Sequence, residues 1–207
     1  MNKGTLFIVS APSGAGKTSL VNALVGGIDD LRVSVSHTTR PQRPGEREGV
    51  DYHFVDRAQF ETMIAAGDFL EHATVFGNHY GTARETVSRQ LRSDVDVVLE
   101  IDWQGARQVR RLIPEAVSVF ILPPSYEELE SRLRRRETDS RETIAERMQA
   151  AEAEMSHFGE YDFLVVNDDF HRALGELQAI VRASRLRTTV QKVRLEPQLT
   201  ALIAKRS

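Results

Sequence analysis

The sequence has no cysteine among its 207 residues. This absence excludes disulfide bonds, thiol catalysis and metal sites built on thiolates, and it fits a reducing compartment. Long hydrophobic runs are also missing. The first one, Leu6 to Val9, is too short for the core of a signal peptide, and no later run approaches a membrane span. We therefore expect a cytoplasmic protein that has no membrane partner.

A large charge of one sign is the third missing feature. The formal net charge is −3, with 27 lysines and arginines against 30 aspartates and glutamates. A charge so close to balance gives no strong positive field, so we expect no nucleic-acid partner. The six histidines have no spacing typical of metal ligands. A content of 41% hydrophobic and 28% charged residues is typical of one globular domain with its own core.

One short stretch near the start organises the rest of the sequence. Residues 5–10 have the pattern of a buried strand, Ala-Pro-Ser-Gly-Ala-Gly-Lys-Thr occupies 11–18, and apolar residues then recur at helical spacing. This order is typical of a loop that binds nucleoside-triphosphate phosphates. Its glycines let backbone N–H groups converge on phosphate oxygens at the positive end of the helix. Lys17 would reach the β- and γ-phosphates, and the Thr18 hydroxyl would coordinate Mg²⁺.

The loop departs from the usual pattern at its first position, where Ala11 stands in place of glycine. Alanine is the smallest replacement, but it excludes backbone conformations that only glycine adopts. The alternative is an ordinary strand, turn and helix with glycine at the turn. That alternative does not require Gly-Lys-Thr directly after a buried strand, so the phosphate loop is the favoured interpretation.

Further strands and helices alternate along the chain and predict an α/β domain with a parallel sheet. Hydrophobic runs place the remaining core strands at 32–37, 95–102, 118–122 and 163–167. The segment 36–88 breaks this rhythm with several short strands and one small helix. We therefore predict that it is an insertion into the parallel core.

The strand at 95–102 ends in two carboxylates, Glu100 and Asp102. In phosphate-loop enzymes, the carboxyl end of such a strand supports metal and substrate. The alternative is a half-buried strand with a solvated acidic end. The preceding phosphate loop favours a functional role.

Two arginine-rich segments also suggest phosphate contacts. The loop 38–46 contains two prolines and a glycine and carries Arg40 and Arg43, whose guanidinium groups match phosphate in a bidentate way. Residues 125–157 predict a helical hairpin rich in arginine, which begins with a capping box at Ser125 and Glu128. Each segment could instead be a solvated basic surface. The phosphate loop supplies the anion that favours the binding interpretation.

Together these motifs resemble the guanylate kinase family in its bacterial form, over about residues 4 to 187. Residues 11–18 match the family's phosphate loop, in which alanine is accepted at the first position. Ser-His-Thr-Thr-Arg-Pro-Gln-Arg-Pro-Gly-Glu at 36–46 matches a far more specific signature, and Leu-Glu-Ile-Asp-Trp-Gln-Gly at 99–105 also matches. The resemblance implies an α/β fold of the P-loop NTPase type. Its parallel sheet is flanked by helices and carries a small mixed α/β insertion that binds GMP and a helical lid.

The resemblance implies a single domain with three functional regions and a tail. The core comprises 4–35, 89–124 and 158–187, the GMP-binding region 36–88, the lid 125–157 and the C-terminal tail 188–207. The tail has a short apolar pattern, which fits either local packing or docking on a neighbouring subunit. Whether the protein forms a homo-oligomer therefore stays open.

The resemblance also implies roles for individual residues. ATP would be bound by Ala11, Pro12, Ser13, Gly14, Ala15, Gly16, Lys17, Thr18 and Asn167. GMP would be bound by Ser36, Arg40, Arg43, Tyr52, Glu71, Tyr80, Thr82 and Asp102. The catalytic residues would be Lys17, Arg132, Arg136 and Arg147. Mg²⁺ would bind Thr18 and, through a water molecule, Glu100, which stands where many relatives have aspartate. Glu137 stands where the family more often has glycine, so the geometry of that turn stays open.

The implied reaction converts ATP and GMP into ADP and GDP with Mg²⁺ as cofactor, and dGMP is expected to be accepted as well. Two other classes of protein remain as alternatives. Some proteins of this fold are scaffolds that bind phosphopeptides and have lost the nucleotide loop, and here Lys17 and Thr18 argue against that. A GTP-hydrolysing switch would carry Asn-Lys-x-Asp, which this chain lacks. Within the enzymes, a kinase for another monophosphate is the nearest competitor.

Overall fold

The computed structural model of the protein describes residues 4–134 and 141–204. The strands are β1 Leu6–Ser10, β2 Leu31–Val33, β3 His37–Thr38, β4 His53–Phe54, β5 Phe69–Val75, β6 Asn78–Ala83, β7 Asp96–Glu100, β8 Val117–Leu122 and β9 Phe163–Val166. The helices are α1 Lys17–Gly26, α2 Arg57–Ala66, α3 Arg84–Arg92, α4 Trp103–Leu112, α5 Tyr126–Arg134, α6 Arg141–Met155, α7 Phe170–Arg185, α8 Thr188–Arg194 and α9 Glu196–Ala204. In this part of the chain, no helix has both the length and the apolar composition needed to cross a bilayer.

The central sheet is parallel throughout and has the order β2-β7-β1-β8-β9. Alternate residues of β1 point to opposite faces. Phe7 and Val9 pack with α1 and α7, whereas Leu6 and Ile8 pack with α3 and α4. Because both faces are covered, the strands are continuous apolar runs rather than alternating ones. The predicted α/β fold with a parallel sheet between helices is confirmed.

The predicted strand at 32–37 is wrong as a single element. The structure divides it into β2, which belongs to the central sheet, and β3, which belongs to a second sheet. The Ser34 N–H still donates to Val98 O in the central sheet, while Ser36 O accepts from His53 N in the second. Residues 34–36 therefore carry the chain from one sheet to the other, a change that local alternation of polar and apolar residues does not reveal.

The second sheet is small and mixed, with the order β4-β3-β6-β5. Strands β5 and β6 form an antiparallel hairpin that turns at Phe76 and Gly77, both with positive φ. Helix α2 begins with a capping box between Asp56 and Gln59 and packs its buried Phe60 on this sheet. Residues of β5 and β6, together with Ser36 and Tyr52, form one wall of the cavity described below, opposite residues at the carboxyl end of the central sheet.

Helices α5 and α6 pack on each other through a separate apolar cluster. The cluster contains Leu129, Leu133, Met148 and Ala151, with Met155 at its edge. Ser125 Oγ accepts from the N–H of Glu128, so the predicted N-terminal cap is confirmed. At the base of the hairpin, just after α6, His157 stacks on Trp103 of α4 with ring centroids 3.8 Å apart. The hairpin thus has its own small core and is attached to the central domain at its base.

Candidate nucleotide-binding site

The loop between β1 and α1 has the backbone that its glycines permit. Gly14 has φ of 93° and Gly16 has φ of 90°, both in the left-handed region that favours glycine. Gly16 is also the N-cap of α1. A Cβ on Gly16 would lie 2.5 Å from Nδ2 of Asn167, so close approach requires glycine there as well. The first backbone N–H groups of α1, which have no partner within the helix, therefore lie at the phosphate loop together with the positive end of the helix dipole.

Two side chains at the start of α1 contact the carboxyl end of β7. Lys17 Nζ donates to the carbonyl oxygen of Ile101 at 3.3 Å, and Thr18 Oγ1 donates to Glu100 Oε1 at 2.5 Å. The structure thus brings together Thr18 and Glu100, which the sequence predicts as magnesium ligands. Among the described residues, no group of three or more histidine or acidic side chains is arranged to hold a metal ion.

Asn167 follows β9 and lies behind the phosphate loop. Its side-chain Nδ2 donates to Ala15 O at 2.7 Å, and its backbone carbonyl oxygen accepts from Arg132 at 3.1 Å. These contacts fix the loop from the rear and join it to α5. Arg147 lies half-buried on α6. Arg136, predicted as a third lid arginine, and the adjacent Glu137 lie outside the described residues.

One cavity of about 280 Å³ joins the phosphate loop to the second sheet. At one end it is lined by the loop with Lys17 and Thr18, and at the other by Ser36, Tyr52 and Tyr80. The carboxylates of Glu71, Glu100, Asp102 and Glu154 also line it. Residues predicted from three distant segments to bind two nucleotides therefore share one continuous space.

The loop 38–46, which carries Arg40 and Arg43, is folded around Glu46 rather than pointing freely into the cavity. Arg40 donates to Glu46 Oε1 at 2.7 Å, and the N–H of Arg43 donates to Oε2 at 2.8 Å. This pairing holds the pKa of the Glu46 carboxyl below its usual range. The Arg40 guanidinium also lies 5.4 Å from the ring centre of Tyr52, while Arg43 is exposed. Arg40 thus lies next to Tyr52, which lines the cavity, whereas Arg43 is not among the lining residues.

Glu71 is the most deeply buried acid that lines the cavity, with 3% of its surface exposed. Thr82 Oγ1 donates to its Oε1 at 2.5 Å, and Ser36 Oγ lies 3.4 Å from the same hydroxyl. Burial raises the pKa of Glu71 to about 7. The charge of nearby Asp102 also raises this pKa, whereas the hydrogen bond from Thr82 lowers it. Asp102 is the N-cap of α4 and accepts from Gly105 N at 2.9 Å. The predicted base-reading residues Glu71, Thr82 and Asp102 therefore lie together.

Glu154 is a residue of the site that the sequence interpretation missed. It lies on α6, and its carboxylate accepts from the Ser13 N–H of the phosphate loop at 3.1 Å. Burial raises the pKa of Glu154. The available signal was its position two helical turns after Arg147, which puts both side chains on the same face. Helix α6 thus contributes an acid to the lining of the cavity.

Comparison with known proteins agrees with this geometry. The sequence model described as guanylate kinase matches residues 3–184. The chain is 64% identical over 204 residues to the guanylate kinase of Methylococcus capsulatus, a match that covers 99% of this chain and 98% of that protein. It is 60% identical over 200 residues to the guanylate kinase of Alkalilimnicola ehrlichii, covering 97% of this chain and 98% of that one.

A solved structure has a similar fold. The crystal structure of guanylate kinase from Anaplasma phagocytophilum superposes with a TM-score of 0.76 at 36% sequence identity, and the match covers 90% of this chain and 89% of that one. The resemblance read from the motifs is confirmed along almost the whole sequence. The chain therefore belongs to the guanylate kinase family, a family of nucleoside monophosphate kinases.

Proposed function

We propose that the protein transfers the γ-phosphoryl group of ATP to GMP, giving ADP and GDP, in cytoplasmic purine nucleotide metabolism and GMP recycling. The observation that carries this proposal is the cavity that joins the phosphate loop with Lys17 to the buried carboxylate of Glu71. A phosphate-binding end and a base-reading end in one space suit a reaction between a triphosphate and a monophosphate. Family membership supports the same reaction.

In this proposal the ATP phosphates bind the loop 11–18. The N–H groups of the loop and the positive end of α1 hold the phosphate oxygens, and Lys17 contacts the β- and γ-phosphates. Lys17 Nζ donates to Ile101 O just after β7, and in the proposal it exchanges this contact for one with the anion. Asn167 supports the loop through Ala15 and helps to fix the donor site.

The GMP phosphate binds at the edge of the second sheet. Arg40, Arg43, Tyr52 and Tyr80 surround it, with Ser36 nearby. Because burial raises the pKa of Tyr52 to about 12, its hydroxyl remains protonated and can donate a hydrogen bond. When the GMP phosphate binds, Arg40 either leaves Glu46 to contact the phosphate or contacts both groups at once. Guanine then lies in the deeper part of the cavity, where Glu71, Thr82 and Asp102 face its hydrogen-bonding edge.

The residues at the end of β7 fit Mg²⁺. Mg²⁺ prefers oxygen ligands, usually one or two from the protein together with waters and substrate phosphates. The Thr18 hydroxyl and the Glu100 carboxylate are oxygen donors adjacent to each other and to the phosphate loop. Thr18 would bind the ion directly, and Glu100 through a water molecule. When bound, the ion would neutralise charge on the β- and γ-phosphate oxygens.

The protein acts by positioning and by charge. An oxygen of the GMP phosphate attacks the γ-phosphorus in line, forming a new P–O bond while the bond to the β-γ bridging oxygen breaks and ADP leaves. Lys17 and the lid arginines Arg132, Arg136 and Arg147 balance the charge that develops on the transferred group. Closure of the lid 125–157 and the GMP-binding region 36–88 over the core 4–35, 89–124 and 158–187 excludes water, which would otherwise accept the phosphoryl group.

The test measures ADP and GDP formation from ATP with and without GMP. We expect the two products in equal amounts and no ADP when GMP is omitted. A phosphopeptide scaffold would form neither product, and a GTP-hydrolysing switch would release phosphate from GTP without an acceptor.

Lys17→Ala should reduce turnover by orders of magnitude while the fold survives. Lys192→Ala, which changes an exposed lysine of α8, serves as the control and should leave turnover unchanged. Near-normal turnover in Lys17→Ala would contradict the assignment of the phosphate loop.

A further inference from the structure

Gly105 occupies a position where glycine is costly. It is the third residue of α4, and glycine in a helix is about 1 kcal/mol less favourable than alanine. Its φ lies outside the left-handed region, so backbone conformation does not require glycine there. The residue is also buried. Some other constraint must therefore explain why this position has no side chain.

The constraint is the carboxylate of Glu71. A Cβ built on Gly105 would overlap Oε2 of Glu71 and lie 3.0 Å from its Cδ. The carboxylate has little freedom to withdraw, because it is 3% exposed and its Oε1 accepts from Thr82 at 2.5 Å. The same Cβ would lie 3.4 Å from Ile101 Cδ1, so the helix itself is also closely packed on this side. A methyl group here would displace Glu71 from its present position.

The backbone of Gly105 acts on the second carboxylate of the site. Its N–H donates to Oδ1 of Asp102 at 2.9 Å, while Gln104 Nε2 donates to Oδ2 at 2.9 Å. Both oxygens of Asp102 are thus oriented from the first turn of α4. One residue therefore fixes two acids at the deep end of the cavity, one through its N–H and the other through the space that it leaves.

We propose that Gly105 is a specificity-determining positioning residue for the acceptor base. By lacking a side chain it lets the Glu71 carboxylate lie against α4, at the depth where it accepts from the N1–H and 2-amino groups of guanine. This proposal rests on the proposed function, since it assumes that guanine occupies this part of the cavity. It assigns to Gly105 no contact with the reacting phosphates.

The test is Gly105→Ala compared with Gly175→Ala. Displacing a recognition group by about 1 Å can cost about 100-fold, so we expect kcat/KM for GMP to fall about 10- to 100-fold in Gly105→Ala. The KM for ATP should stay within about twofold, because the phosphate loop is untouched. Gly175 lies in the interior of α7, and a Cβ there meets nothing within 4 Å. Gly175→Ala should therefore match the wild-type protein in both constants.

A second pair of variants separates this role from a general loss of structure. Aspartate at position 71 is one methylene shorter and leaves room for the added methyl group. In the Glu71→Asp background, Gly105→Ala should cost no more than about twofold in kcat/KM for GMP, and this non-additivity is the expected sign of direct contact. A further tenfold loss in that background, or unchanged kcat/KM for GMP in Gly105→Ala alone, would overturn the proposal. Failure of the wild-type protein to phosphorylate GMP would instead overturn the proposed function.

Discussion

At the scale of the residue, base choice in our proposal depends on the chemistry of one buried acid, Glu71. An ionised carboxylate accepts hydrogen bonds and cannot donate them. Guanine presents two donors on the edge that Glu71 faces in our proposal, whereas adenine presents the N1 acceptor and has no 2-amino group. A buried acid left without donors is costly, and a site built to hydrogen-bond its substrate can reject analogues by about 10⁴-fold.

Replacing this acid by its amide should therefore weaken discrimination. We expect Glu71→Gln to lower kcat/KM for GMP and to narrow the ratio of GMP to AMP, since an amide can both donate and accept. The measurement is kcat/KM for both nucleotides in both proteins. Glu61→Gln, an exposed acid of α2 in the same region, is the matched control and should keep the wild-type ratio. An unchanged ratio in Glu71→Gln would show that this residue does not read the base.

Some of these residue-level features were predictable from the sequence and others were not. The phosphate loop could be predicted because its strand, turn and helix are contiguous, so local chemistry fixes the geometry. The pairing of Arg40 with Glu46 also lies within one loop, yet it depends on how the turn folds. The contacts of Glu154 with Ser13 and of Gly105 with Glu71 join residues far apart in sequence. Tertiary packing alone creates them, and no local pattern indicates them.

At the scale of the element, the predicted lid is a helical pair, α5 and α6, whose small core is separate from the core of the central sheet. In the described residues, two polar contacts tie it to this side of the core, Glu154 to Ser13 and Arg132 to Asn167. Leu129 and Leu133 also pack against Gly14 of the phosphate loop, where an added Cβ would lie 3.0 Å from each. A movement of the pair relative to the loop would therefore break an apolar contact as well as the polar ones. In our proposal the pair moves in this way when it closes over bound nucleotides.

Arg147 tests whether the lid acts on the transition state. In our proposal the closed lid brings this arginine to the transferred phosphoryl group, and loss of such an arginine can cost roughly 10³-fold in turnover. Arg147→Ala should therefore lower kcat by about that factor with little change in GMP affinity. Arg134→Ala, an exposed arginine of α5 paired with Glu130, is the control and should keep normal turnover. A rise in the KM for GMP with normal kcat would assign Arg147 to ground-state binding instead.

The elements also show where sequence patterns stop being informative. Continuous apolar runs predicted the core strands well, because a parallel sheet covered on both faces needs them. The divided strand at 32–37 was missed because Val33 and Val35 alternate with serines whether or not the chain changes sheets. Two-residue strands such as β3 and β4 exist only through their pairing partners and carry little signal of their own.

At the scale of the whole molecule, the burial of Glu71 should lower the stability of the folded protein. Burial raises the pKa of Glu71 from 4.5 to about 7. Between these pH values the folded protein holds a proton on Glu71 that the unfolded chain has lost, so raising the pH favours unfolding. This single group should lower the free energy of unfolding by on the order of 3 kcal/mol once the pH exceeds about 7.

Glu71→Gln removes this titration and provides the measurement. Denaturant unfolding of both ligand-free proteins at pH 5 and pH 8 gives the difference in the free energy of unfolding between variant and wild type. We expect the variant to become more stable relative to the wild type as the pH rises. Effects of other titrating groups, such as Glu154, are present in both proteins and cancel in the difference. A difference that does not change with pH would show that Glu71 titrates normally in the folded protein.

The account as a whole rests on the choice of acceptor. The most direct test measures kcat/KM with ATP and each of GMP, dGMP, AMP, CMP and UMP as acceptor, using the full chain and Mg²⁺. We predict that GMP and dGMP are both phosphorylated, and that AMP, CMP and UMP react about 10⁴-fold less efficiently than GMP. A value for AMP, CMP or UMP within tenfold of that for GMP would contradict the account.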